Sequence, residues 1–183
     1  MKKQIVTLLV AGFTALPVCA LQPEPTVTIE PPLTLVENAF SPDAGGEALV
    51  LKVINASMLK IRLAAYSFSS PSVVEALLNA RKRGVDVKVV VDYRRNQVKK
   101  SIVAMTALVH AGIPVRTIAV YAMHHDKYIV SDDHTVQNGS FNYSRDAATS
   151  NSENVVVLWN SPSLAASFLH HWESRWAQGV DYQ

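Results

Sequence analysis

Past Ala20 the chain contains no cysteine. Its one cysteine, Cys19, sits in the amino-terminal leader. The remainder therefore forms no disulfide, and it suits an oxidising compartment without depending on one. Net charge is also missing. Lys2 and Lys3 are two of the 17 basic residues, so without them 15 basic residues face 15 acidic ones. The formal +2 of the whole chain belongs to the leader, and net charge gives no argument for a nucleic-acid partner. Internal repeats and long low-complexity segments are absent, which excludes repeat arrays and extended tails. The apolar run from Ile5 to Val18 is too short and too sharply bounded for a comfortable transmembrane span.

What is present begins with that run. Two lysines, an apolar stretch and the small-residue site at Val18-Cys19-Ala20 read as a secretory signal peptide over residues 1–20, cleaved after Ala20. The expected destination is periplasmic or secreted. A lipidated Cys19 is the rival reading, and the bulky Val18 before it argues against that reading. Residues 21–32, rich in Pro and Thr, read as an extended leader. Residues 33–183 are long enough for one well-buried domain.

Apolar periodicity gives an alternating order of elements. Strands are expected at Leu33–Val36, Lys60–Tyr66, Val85–Val91, Val115–Ile118, Lys127–Val130, Thr135–Gln137 and Val155–Leu158. Helices are expected at Gly46–Ala56, from Ser70-Pro71 to Arg81, at Ser101–Ala111 and from Ser161-Pro162 onward. Ser72 and Glu75 offer an alternative capping box for the second of these. The last helix puts Leu164, Phe168, Trp172 and Trp176 on one face. This alternation predicts an α/β fold, a mixed sheet with helices on both faces.

The chemistry concentrates in eighteen residues, H-D-K-Y-I-V-S-D-D-H-T-V-Q-N-G-S-F-N from His125 to Asn142. On a strand His125 and Lys127 share a face. Asp132 has the wrong parity to join them and reads as a turn residue that supports the hairpin or balances Lys127. Gly139 permits a close backbone approach, and Ser140 and Asn142 again share a parity. An imidazole, an ammonium, a hydroxyl and an amide thus converge on one anion, an arrangement suited to attack on a phosphodiester.

The ordered set His125, Lys127 and Asp132, then Gly139, Ser140 and Asn142, resembles the phospholipase D superfamily signature H-x-K-x4-D followed by a G-S-x-N variant. Ala65-Tyr66-Ser67-Phe68, Lys82–Lys88, Asn151–Asn154 and Phe168–Trp172 resemble the small single-motif bacterial endonucleases of that family. The resemblance implies an α-β-α sandwich and a reaction in which His125 attacks phosphorus to give a phosphohistidine that water hydrolyses. It further implies Lys127, Ser140 and Asn142 as phosphate ligands and Glu153 as a carboxylate that orients the histidine. No metal or cofactor is called for if protein cations stabilise the transferring group. Arg94 and Arg95, after a strand end, are the candidate contacts to flanking phosphates.

Such a mechanism needs two imidazoles, and this chain has one H-x-K motif. His124, on the opposite strand face, and the helical His170 and His171 do not read as substitutes. A homodimer with a shared active site is therefore expected, with DNA or RNA as substrate and no stable membrane association. The alternatives are a phospholipase D or phosphatidyltransferase acting on lipid headgroups, a metal-dependent phosphohydrolase using His125 and Asp126, and a non-catalytic nucleic-acid-binding module.

Overall fold

The computed structural model describes residues 33–183; the expected signal peptide and extended leader lie outside the described residues. Eight strands form one sheet: β1 (Leu35–Ser41), β2 (Lys60–Ala65), β3 (Asp86–Asp92), β4 (Val115–Ile118), β5 (Lys127–Ser131), β6 (Thr135–Gly139), β7 (Glu153–Trp159) and β8 (Val180–Asp181). Their spatial order is β1-β7-β6-β5-β2-β3-β4-β8. β2, β3 and β4 run parallel, whereas β5, β6 and β7 form antiparallel neighbours. The helices are α1 (Gly46–Ala56), α2 (Pro71–Lys82), α3 (Lys99–His110), α4 (Arg145–Thr149) and α5 (Pro162–Gln178).

Strand alternation builds two cores. Leu63 of β2, Val89 and Val91 of β3 and Ile129 of β5 face a cluster filled by Leu49, Val50, Val53 and Ile54 of α1, Leu77 of α2 and Met105 and Leu108 of α3. Ala64, Val90, Tyr128 and Val130 point the other way, toward Ala165 and Trp172 of α5. The Trp172 indole N–H donates to the Leu63 carbonyl at 3.0 Å, fastening α5 to the centre of the sheet. The expected mixed sheet with helices on both faces is what the chain adopts.

The helix boundaries have local causes. Pro71 opens α2 and the Ser70 hydroxyl accepts the Val73 N–H, so the Ser72–Glu75 alternative is unused. Beyond its end Gly84 takes a positive φ of 92°. The first strand differs from expectation: it is Leu35–Ser41, not Leu33–Val36. Its apolar residues do not mark it, since Leu35, Val36 and Phe40 are all more than half exposed. Backbone pairing with β7 makes it a strand. The short α4 and β8 were not expected, being a single capped turn and a two-residue edge pairing to Arg116 and Thr117.

Asp132 lies at the far end of β5. Its carboxylate accepts the backbone N–H groups of Met58, Leu59 and Lys60 at 2.8, 2.8 and 2.9 Å. With about 3.4 Å of rise per residue, the length of β5 puts it about 17 Å from Lys127, so it does not balance that lysine. It ties the α1–β2 loop to the β5–β6 turn instead. Burial pushes its carboxyl up, but the three donors prevail and hold it below the usual aspartate value of 3.8. Because the folded-state pKa is depressed, its contribution to stability is full above that value and is lost as pH falls through the folded pKa. Asp132→Ala is expected to lose about 2 kcal/mol of unfolding free energy at neutral pH. Denaturant melts across a pH series should show that difference shrinking below pH 3.8.

Candidate active site

Five chain segments meet at one end of the sheet. β2 and β3 finish there, at Ala65 and Asp92; β5 begins there at Lys127, paired with Ala65; β6 ends there at Gly139; and β7 begins there at Glu153. The segments beyond β2 and β6 run together, with Phe68 bridged to Tyr143 and the Ser69 N–H donating to the Tyr143 carbonyl. Backbone topology alone therefore brings the sequence motif's two halves to one place.

His125 is not in a strand. It sits two residues before β5, in the segment that joins β4 to it. That segment is held by Asp92, whose buried carboxylate accepts the His124 N–H at 2.8 Å and the Arg95 N–H at 2.6 Å. Buried Asn96 completes the anchor: it accepts the Phe68 N–H and donates to the carbonyls of Tyr66 and Asp92. The His125 side chain is exposed, whereas Lys127 is buried. Lys127 Nζ lies 3.1 Å from His125 Nδ1 and donates to the His125 carbonyl at 2.8 Å.

The electrostatics favour a neutral imidazole. Loss of hydration pushes the His125 pKa down and the Lys127 charge pushes it further, while Asp126 and Asp92 oppose them. Burial also lowers the Lys127 ammonium, and Glu153 and Asp126 pull it back toward its usual range. Asp126 is pushed up by burial, yet the hydrogen bond and charge of His124, with His171 and Arg175, hold it below the usual carboxylate range.

The other sequence-predicted residues divide. Glu153 accepts from Ser140 Oγ and from Asn151 Nδ2, and its charge acts on Lys127; within one chain it makes no hydrogen bond to His125. Ser140 Oγ also accepts the Asn154 N–H at 3.1 Å, so its hydroxyl is committed to the β6–β7 junction. The Asn142 side-chain oxygen is buried with no hydrogen-bond partner in the chain. Gly139 serves a different approach from the one expected. Its φ is +152°, and a Cβ there would collide with the Asn154 carbonyl, so the residue is required by the β6–β7 contact. Arg94 is spoken for, donating to the Tyr121 carbonyl at 2.7 Å. Arg95 faces the site, its guanidinium carbon 6.0 Å from the Tyr66 ring.

A cavity of about 410 Å³ opens beside His125, lined by Lys127, Asn138, Gly139, Phe168 and His171 among others. His171 was set aside in the sequence, where a histidine on an amphipathic helix looks like a surface residue. Its position three residues after Phe168 was the signal available, since i and i+3 share a helix face. Nδ1 bonds the Tyr128 hydroxyl at 2.8 Å, while Nε2 stands 3.9 Å from the Asp126 carboxylate, beyond hydrogen-bond distance. His170 is exposed. Among the described residues, no three His, Cys, Asp or Glu side chains are grouped so as to hold a metal ion.

Comparisons with known proteins agree with this architecture. The family described as "Cardiolipin synthase, PLD-like domain" matches residues 50–176. A phospholipase D of Rickettsia typhi is 34% identical over 140 residues, covering 76% of this chain and 67% of that protein. A mitochondrial cardiolipin hydrolase of Xenopus laevis is 28% identical, over 85% of this chain and 74% of its own. The crystal structure of Nuc, a phospholipase D family member from Salmonella typhimurium, superposes with a TM-score of 0.82. It is 48% identical and covers 82% of this chain and 99% of its own. NucT from Helicobacter pylori, at 18% identity and a TM-score of 0.68, shares the fold. With His125, Lys127 and Gly139 gathered at one sheet end and these similarities in sequence and structure, the chain belongs to the phospholipase D superfamily and is a phosphodiesterase of that family.

Proposed function

We propose that this phosphodiesterase is an endonuclease of low sequence specificity, acting on DNA or RNA through a phosphohistidine at His125. The observation that carries the proposal is the pairing of an exposed, neutral-leaning imidazole with a buried ammonium at a half-open cavity. His125 supplies the nucleophile. Lys127 and the amide of Asn142 face the non-bridging oxygens, and Arg95 takes a flanking phosphate. Asp132 works from the opposite sheet end as a structural support. The 48% identity to Nuc supports placing the chain among the compact single-motif members it resembles.

The second reading, a lipid phosphodiesterase, is favoured by the names of the curated relatives, phospholipase D and cardiolipin hydrolase. Against it stands the cavity lining, largely His, Asp, Lys, Asn and Ser, with Phe168 and Tyr128 the apolar contributors. Such a wall offers little shelter to acyl chains. Purified residues 21–183 incubated with plasmid DNA, RNA and phosphatidylcholine in excess EDTA separate the readings. Nucleic-acid cleavage that survives chelation is expected. Choline release without DNA cleavage would establish the lipid reading, and activity restored only by a divalent metal would contradict the mechanism.

The second imidazole comes, in this proposal, from a second copy of the chain. His171 is tied through Nδ1 to the Tyr128 hydroxyl and His124 is buried against Asp126, so in this reading neither is the acid that protonates the leaving oxygen. α5 is the one helix of the second face that packs on β2, β4, β5 and β6, and it leaves Leu164, Phe168, Leu169 and Trp176 only partly buried. A second copy seated there would cover them, and a two-fold axis would bring the two His125 side chains together. On the leader reading the enzyme is periplasmic or secreted. Mixed dimers of wild-type and His125→Ala subunits should lack complete turnover although each holds one intact motif. A fully active monomer, at dilutions where sedimentation shows no dimer, would refute the shared site.

A further inference from the structure

Glu153 makes no hydrogen bond to His125 within the chain, and His125 is exposed, so something else must keep its imidazole from turning. Lys127 contacts one part of the ring. The other neighbour is aromatic: the Tyr66 ring lies 4.4 Å from the His125 ring, centroid to centroid, tilted by 52°. Lys127 Nζ stands 5.3 Å from the same Tyr66 centroid and the Arg95 guanidinium carbon 6.0 Å from it. One half-buried tyrosine thus touches the imidazole and both cations of the site.

Its own position is fixed by the main chain. Tyr66 directly follows β2, next to the Ala65–Lys127 pair, and its carbonyl accepts from the fully buried Asn96 at 2.8 Å. A rigid backbone therefore carries the ring, and the ring, not a hydrogen bond, meets the histidine.

We propose that Tyr66 is a positioning residue for the His125 nucleophile, holding the imidazole against Lys127 by its ring face and sheltering the positive charge that the imidazole gains on attack. This rests on the reading of His125 as nucleophile. As the N–P bond forms and the P–O bond to the leaving oxygen breaks, the other imidazole of the shared site gives its proton to that oxygen. The attacking ring moves from neutral toward cationic. An aromatic face within about 6 Å stabilises such a charge, and the same face keeps the two rings at a fixed tilt before it develops. The phenol hydroxyl has no part in this, so phenylalanine should substitute.

The test compares Tyr66→Phe, Tyr66→Leu and Tyr66→Met with wild type and His125→Ala. The readouts are single-turnover DNA cleavage, KM, and the His125 ring resonances in proton–carbon NMR. Tyr66→Phe should cleave within about threefold of wild type and keep the ring-current displacement of the His125 signals. The two ring-free variants should lose that displacement and cleave about a hundredfold more slowly, the scale of a misoriented reactant, with KM little changed. Tyr66→Met stands beside Tyr66→Leu in case one fails to fold, as a thermal melt will show. Wild-type rates in a folded ring-free variant, or a Tyr66→Phe enzyme as slow as Tyr66→Leu, would overturn the assignment. Cleavage that survives His125→Ala would instead overturn the nucleophile reading beneath it.

Discussion

Asp92 is the point on which the site's geometry turns. A carboxylate at the buried end of a parallel strand must find donors or lose far more free energy than a domain can spare. Asp92 finds two backbone N–H groups, one just after its own strand and one in the segment that enters β5. That second bond stops the β4–β5 connection from drifting and delivers His125 to the sheet end. Asn96 repeats the device for the segment after β2 and so places Tyr66. Exposed His125 and Arg95 stand on a backbone that two buried polar residues have already arranged, which is what preorganisation requires.

Opposite ends of the same strand then serve opposite purposes. Lys127, at the start of β5, is buried beside an exposed imidazole; desolvation lowers both pKa values, and the lysine's charge lowers that of His125 further. Asp132, just past the end of β5, spends its charge on three backbone donors. The sequence signature therefore spans both ends of the sheet, with His125 and Lys127 at the cavity and Asp132 holding a backbone loop at the other end.

Much of this was legible in the sequence because strand alternation and helix punctuation are local. β4 was read at its observed bounds, and α2 is marked by Ser70, Pro71 and Gly84. His125 and Lys127 meet as expected, although His125 precedes β5 and strand parity is not the cause, and Asp132 is set apart by the length of β5. What was not legible depends on partners distant along the chain. β1 is a strand only because β7 lies beside it, and its exposed Leu35 and Val36 carry no burial pattern. Asp92, Asn96 and Tyr66 take their roles only where β2 and β3 end beside the start of β5. His171 needed the packing of α5 on β5 to place it at the cavity wall, and Arg94 and Arg95 were separable only once Tyr121 was seen to claim the first.

The central claim is that His125 itself bonds to phosphorus. Rapid alkaline quench of enzyme in excess over end-labelled DNA in EDTA, followed by proteolysis and mass spectrometry at a pH that preserves the acid-labile N–P bond, examines that bond directly. The account predicts a transient nucleotidyl adduct on the peptide containing His125, rising and decaying within one turnover and absent from His125→Ala. Full cleavage with no adduct at any quench time, or an adduct on a different residue, would contradict it.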